Sequence, residues 1–141
     1  MKKITYNPGY GEKTSNIYEV DDTVWVMDFE TPWQEYECGP VVRRLKVAAQ
    51  EWWEGNSYIP VYYDLVDPDT GETVGVNGSG NHHFSEIFET EEEAIDELLI
   101  FVNDDIKFFE SEGTQDKEDI LRYEKFKKLR DYYSSQKEKN A

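Results

Sequence analysis

The chain is short of cysteine, of long apolar runs and of basic residues, and each shortage excludes something. A single cysteine, Cys38, leaves no internal disulfide framework. No stretch approaches the roughly 18 consecutive apolar residues that a membrane-spanning helix needs. The opening Met1-Lys2-Lys3-Ile4-Thr5-Tyr6-Asn7-Pro8 has basic residues but no apolar segment behind them, so it does not read as a signal peptide. Together these point to a cytoplasmic protein with no membrane contact. Bases number 15 against 31 acids, a formal net charge of −16. Such a surface repels nucleic-acid phosphates and anionic lipid headgroups and attracts basic partners. Plain solubility accounts for the same charge equally well.

Aromatic residues are abundant: four Trp, ten Tyr and seven Phe make up 15% of the 141 residues. A disordered chain lacks such residues, because it cannot bury enough apolar surface to offset the entropy of ordering. The length suits one domain with a real core. We expect a single folded domain over residues 1–135 and a flexible tail over 136–141.

Local patterns give an α+β chain: a small antiparallel sheet, one helix after the first strands, and two C-terminal helices. Asn16 to Val20 and Thr23 to Phe29 read as strands around an Asp21-Asp22 turn, after a turn-rich Asn7 to Gly11 loop. In the second strand Val24, Val26 and Asp28 share one face, and Trp25, Met27 and Phe29 the other; the bulkier set is expected inward. Cys38-Gly39-Pro40 reads as a helix start, with Val41, Leu45, Ala48, Ala49 and Trp52 forming an apolar stripe. The partial alternation of Val41, Leu45, Val47 and Ala49 keeps a strand open as the alternative. Tyr58 to Val66 reads as a strand beginning at an edge or bulge at Pro60, turning through Asp67 to Glu72 and returning at Thr73 to Val76. A short strand is expected near His83 to Glu89.

Thr90-Glu91-Glu92-Glu93 has the form of a capping box. Behind it Ile95, Leu98, Leu99, Val102, Ile106 and Phe109 fall in one arc at 100° per residue, with Ala94, Phe101 and Phe108 as a second apolar row. Glu93, Asp96, Glu97 and Asp104 point outward, and Gly113 ends the helix. A last helix is expected from about Lys117 to Tyr133; its apolar residues spread around the cylinder, which suggests contacts on several sides and a possible homo-oligomer. Charge divides unevenly: residues 90–112 hold nine acids and one base, Lys107, whereas 113–141 hold eight bases and six acids. The last helix therefore suits an acidic surface, its own or that of a second copy.

No catalytic, metal or cofactor motif emerges, and we assign none. Cys38 stands before a helix start, yet no family signature surrounds it. His82 and His83 are adjacent and point apart in a strand, and Glu86 with one of them makes too few zinc ligands. Asp67 to Glu72 lacks the acidic ladder of a calcium loop. Gly75 to Gly80 has no Lys-Ser/Thr and no long helix behind it. Trp25, Trp33, Trp52 and Trp53 serve core packing more readily than a stacking pocket.

In composition the chain is similar to small phage-type inhibitors that mimic nucleic acid and to acidic immunity proteins; the likeness is of charge, not motif. It implies a non-enzymatic protein whose carboxylates Glu93, Asp96, Glu97 and Asp104 occupy a basic, nucleic-acid-binding surface on a partner, with no direct binding of nucleic acid. The competing expectation is a nucleotide-like small-ligand site formed by Arg43, Arg44 and Trp53, since arginines are rare in the first ninety residues.

Overall fold

A computed structural model describes residues 3–7, 9, 11–29, 39–52, 61–74, 87–113 and 116–140. Among the described residues five strands precede two helices: β1 (Lys3–Tyr6), β2 (Lys13–Asn16), β3 (Thr23–Phe29), β4 (Pro40–Trp52), β5 (Val61–Val66), α1 (Glu91–Glu112) and α2 (Lys117–Asn140). β1 and β2 form an antiparallel pair, and β3, β4 and β5 a three-stranded antiparallel sheet in that order. The α+β class, the antiparallel sheet and the two C-terminal helices follow the sequence expectation. The chain divides into two compact units, Met1–Val26 with Arg43–Glu89, and Met27–Val42 with Thr90–Ala141.

In the first unit, β1 and β2 pair with Tyr6 opposite Lys13, and the Thr5 and Thr14 hydroxyls lie 3.3 Å apart across the ladder. The side chain of Asn7 accepts hydrogen bonds from the N–H groups of Gly9 and Gly11, which organises the expected loop. The first strand expected at Asn16 to Val20 instead ends at Asn16. Beyond it, Glu19 to Asp22 form the turn. Asp21 takes a left-handed φ of 77°, and the Asp22 carboxylate accepts from the Glu19 N–H at 2.8 Å.

The helix expected from Pro40 is a thirteen-residue strand, β4. Leu45 and Val47 are buried, whereas Ala48 and Trp52 of the helical stripe are exposed, Trp52 by 49%. Helix propensity differs among these residues by only tenths of a kcal/mol, and strand pairing on both sides outweighs it. A bulge between Val47 and Ala49 shifts the register against β5, which interrupts the alternation that would mark a strand. Pro40 stands as first residue of the strand, where its missing N–H does least harm.

The facing of β3 is also the reverse of the expectation. Val24, Val26 and Asp28 are buried, and Trp25 and Met27 are half-buried. Trp25 exchanges backbone hydrogen bonds with Phe88. The valines join Leu45, Val47, Val61, Tyr63 and Leu65 in one core cluster, and pleat parity then commits Asp28 to the inside. Tyr63 is central here. It meets Tyr18 edge to face, ring centroids 5.6 Å apart, and its hydroxyl accepts from the Tyr18 N–H at 3.1 Å. The Gln50 amide donates to the Tyr18 carbonyl. The turn after β5 forms as expected. Asp67 accepts from the N–H groups of Asp69 and Thr70, and Val66 bridges to Thr73. Pro60, Val76 and His83 to Glu86 lie outside the described residues.

In the second unit, α1 buries Ile95, Leu98, Val102 and Ile106 against Phe126 and Tyr133 of α2, with Leu99, Phe101 and Tyr123 packed at the edges. Phe108, in the second apolar row, is exposed. α2 starts at the Asp116 carboxylate, which accepts from the Asp119 N–H at 2.8 Å. It continues through Asn140, so the expected tail over 136–141 is helical to its penultimate residue. The Tyr133 hydroxyl accepts from the Val42 N–H at 3.1 Å. Gly39 has a φ of 72°, and a Cβ there would stand 2.7 Å from Leu129 Cδ1.

Two stability effects follow. Burial pushes the Tyr63 hydroxyl up from 10.0 to about 12, against the Tyr18 hydrogen bond, which pulls the other way. The folded state therefore holds this proton more tightly than the unfolded state. The stabilisation is complete below pH 10 and is lost as pH rises from 10 through about 12. Tyr63→Phe should cost about 1–2 kcal/mol at neutral pH by orphaning the Tyr18 N–H, and should flatten the alkaline loss; urea unfolding across that range measures both. Gly39→Ala should destabilise by about 1–3 kcal/mol through strain and the Leu129 clash, read as a lower urea midpoint at unchanged slope.

Candidate acidic interface on the first C-terminal helix

The site begins at Thr90. Its hydroxyl accepts from the Glu93 N–H at 3.2 Å and donates to the Glu93 carboxylate at 3.0 Å, so cap and side chain hold one another. Glu91, Glu92 and Glu93 lie in the first turn, where the helix dipole favours negative charge. At the other end Gly113 turns away with φ 81°, its N–H donating to the Phe109 carbonyl. Between these ends the buried stripe fixes the rotation of α1.

That rotation divides the expected carboxylates into two groups. Glu93, Glu97 and Asp104 are exposed, and at 100° per residue they fall within about 40° of one another. Asp96 lies on the flank, where the Lys137 ammonium of α2 meets it at 2.6 Å. The hydrogen bond to Asp96, then its charge, then that of Glu92, raise the affinity of Lys137 for its proton above the usual lysine range. Asp105 and Glu110 are drawn in as well. Arg122 donates to Asp105, and the Tyr123 hydroxyl lies 3.2 Å from the Glu110 carboxylate. The basic last helix thus lies against acidic residues of its own unit. Among the described residues, Glu97 and Asp104 form no ion pair.

Arg122 is held by more than charge. Its guanidinium carbon lies 5.0 Å from the Phe126 ring centroid and 5.7 Å from that of Phe109, and the Asp105 pair is mostly shielded from solvent. Cation–π contact and partial burial make this pair stronger than the open Lys137–Asp96 pair.

Two residues on the exposed side of α1 depart from the sequence view, which leaves Ile100 unassigned and sets Phe108 in an apolar row. Ile100 is 59% exposed and Phe108 60%, and both lie in the same sector as Glu97 and Asp104. The signal was available. Ile100 falls outside the buried arc, and Phe108 is displaced from Phe109 by a full 100°.

The alternative set lies partly outside the described residues. Arg44 is exposed and Arg43 half-buried on β4, and Trp53 lies outside the described residues, as do Cys38, His82, His83, Glu86 and the Gly75 to Gly80 segment. Asp67 is held below the usual carboxylate range, first by the N–H groups of Asp69 and Thr70 and then by the charges of Arg43 and Arg44. Among the described residues no three His, Cys, Asp or Glu side chains group as a metal site requires, and no helix is long and apolar enough to cross a membrane.

A double-mutant cycle on Asp105→Ala and Arg122→Ala should return a coupling of about 1–2 kcal/mol, whereas Asp96→Asn should leave stability close to that of the parent. Equal, negligible effects would mean that α2 is held by apolar packing alone. Comparisons with protein-family models, with curated proteins and with solved structures returned no match.

Proposed function

We propose that this chain is a non-catalytic, cytoplasmic binding protein that covers a basic, nucleic-acid-binding surface of another protein, in the manner of phage-type nucleic-acid mimics and acidic immunity proteins. The observation that carries the reading is the division of charge on α1. Asp96 and Asp105, on opposite sides of the helix, are paired with Lys137 and Arg122, while Glu97 and Asp104 stay aligned, exposed and without an ion pair among the described residues, with Glu93, which also holds the Thr90 cap, in the same arc. Glu93 to Glu97 rises about 6 Å, close to the spacing of phosphates along an extended strand, and Asp104 follows about 10 Å further on. Arg and Lys clefts shaped for phosphates accept carboxylates at such intervals. The overall charge of −16 speeds the encounter and disfavours nucleic acid itself.

The test compares two variants with the same change in net charge. One carries Glu97→Lys and Asp104→Lys; the other carries Glu12→Lys and Glu72→Lys, at exposed positions of the first unit. Each is used to capture proteins from bacterial lysate with and without excess duplex DNA. A nucleic-acid-binding protein held by the parent and by the second variant, displaced by DNA, and lost at least tenfold by the first variant supports the reading. Equal retention by both variants would reduce the acidity to a solubilising role.

A further inference from the structure

On the exposed side of α1, Glu93, Glu97, Ile100, Asp104 and Phe108 fall within an arc of about 80°. The two apolar side chains are more than half exposed, and their positions are about 12 Å apart along the axis. Lys107 borders the stripe. A surface that only imitates phosphates gains nothing from an isoleucine and a phenylalanine set among its carboxylates, since a phosphate-binding cleft is polar where it meets the backbone. We infer that the partner surface is itself amphipathic, a protein helix or groove that presents bases to Glu97 and Asp104 and apolar recesses to Ile100 and Phe108. The inference rests on the acidic-interface reading and adds the chemical class of the partner to it.

Charge complementarity selects this occupant over the others. Duplex DNA, polyphosphates and anionic lipid share the sign of the stripe and are repelled. Of the exposed apolar residues of α2, Leu121 and Tyr132 stand in a different setting. Glu124, Lys128 and Asp131 around them carry both signs, so that face selects no charged partner. On α1 the two kinds of residue divide the work. Carboxylates govern approach and salt dependence, and desolvated apolar anchors govern residence.

The probes are two synthetic peptides of equal charge, an amphipathic Lys/Leu helix and a Lys/Gln counterpart without an apolar face. Binding is followed by fluorescence anisotropy at low and high salt. The parent should prefer the Lys/Leu peptide by about tenfold. Ile100→Ser with Phe108→Ser, both more than half exposed, should abolish that preference and leave the salt dependence intact. Glu97→Lys with Asp104→Lys should weaken both peptides and flatten the salt dependence. Leu121→Ser with Tyr132→Ser should change neither.

If the Ile100/Phe108 variant keeps its preference while the Glu97/Asp104 variant loses binding, the apolar anchors are overturned and the purely acidic interface stands. If neither variant changes binding, both readings fall. Equal losses from the Leu121/Tyr132 control would expose general apolar stickiness and overturn the assignment. Concentration-dependent self-association in light scattering, abolished by Ile100→Ser with Phe108→Ser, would name a second copy as the occupant and overturn it likewise.

Discussion

Ile95, Leu98, Val102 and Ile106 can be buried against Phe126 and Tyr133 in only one rotation of α1, and the candidate interface is the remainder of that rotation. A helix turns 100° per residue, so committing one arc to the core commits the opposite arc to water. Glu93, Glu97, Ile100, Asp104 and Phe108 are outward because their neighbours are inward. Core packing of this kind is worth far more than any single surface charge. The geometry of the acidic face is therefore insensitive to the charges it displays, and those charges are free to answer to a partner.

The second helix shapes the electrostatics as well as the packing. Its bases are spent selectively, Lys137 on Asp96 and Arg122 on Asp105, on carboxylates that flank the contact between the two helices. Arg122 lies over two aromatic rings, where a planar, weakly hydrated cation is better accommodated than an ammonium. The acids of α1 consequently have two duties. Those beside α2 lock the pair, and those facing away stay uncompensated by any ion pair among the described residues. A count of charges along the sequence sees only their total.

The first unit rests on a different principle. Its core is built by pleat parity and cross-strand pairing, with Val24, Val26, Leu45, Val47, Val61, Tyr63 and Leu65 meeting in one cluster. Tyr63 is buried with its hydroxyl bonded to backbone, which satisfies the polar atom that its apolar ring carries inside. On β3, parity turns Asp28, which already belongs to the second unit, inward as it does Val24 and Val26; it is 2% exposed and takes part in a polar interaction.

Features encoded within one turn or one helical period were legible from the residues alone. They include the Thr90 cap, the apolar arc of α1, the Gly113 stop, the Asp67 turn, the Asp21-Asp22 turn, and the mutual fit of an acidic and a basic helix. Each depends on residues within a few positions of one another, or on a periodicity that the chain states directly. The strand at Pro40 to Trp52, the inward face of β3 and the division of the α1 acids into paired and open groups were decided by tertiary structure. For β4 the local preference is worth only tenths of a kcal/mol per residue, whereas pairing with β3 and β5 acts along the strand, and the bulge at Ala48 breaks the alternation that would have announced it. For α1, sequence determined which residues face away from the core. Which of those stand without an ion pair depended on where Lys137 and Arg122 arrive from another helix, because an ion pair is made by proximity in space and falls off within a few ångströms.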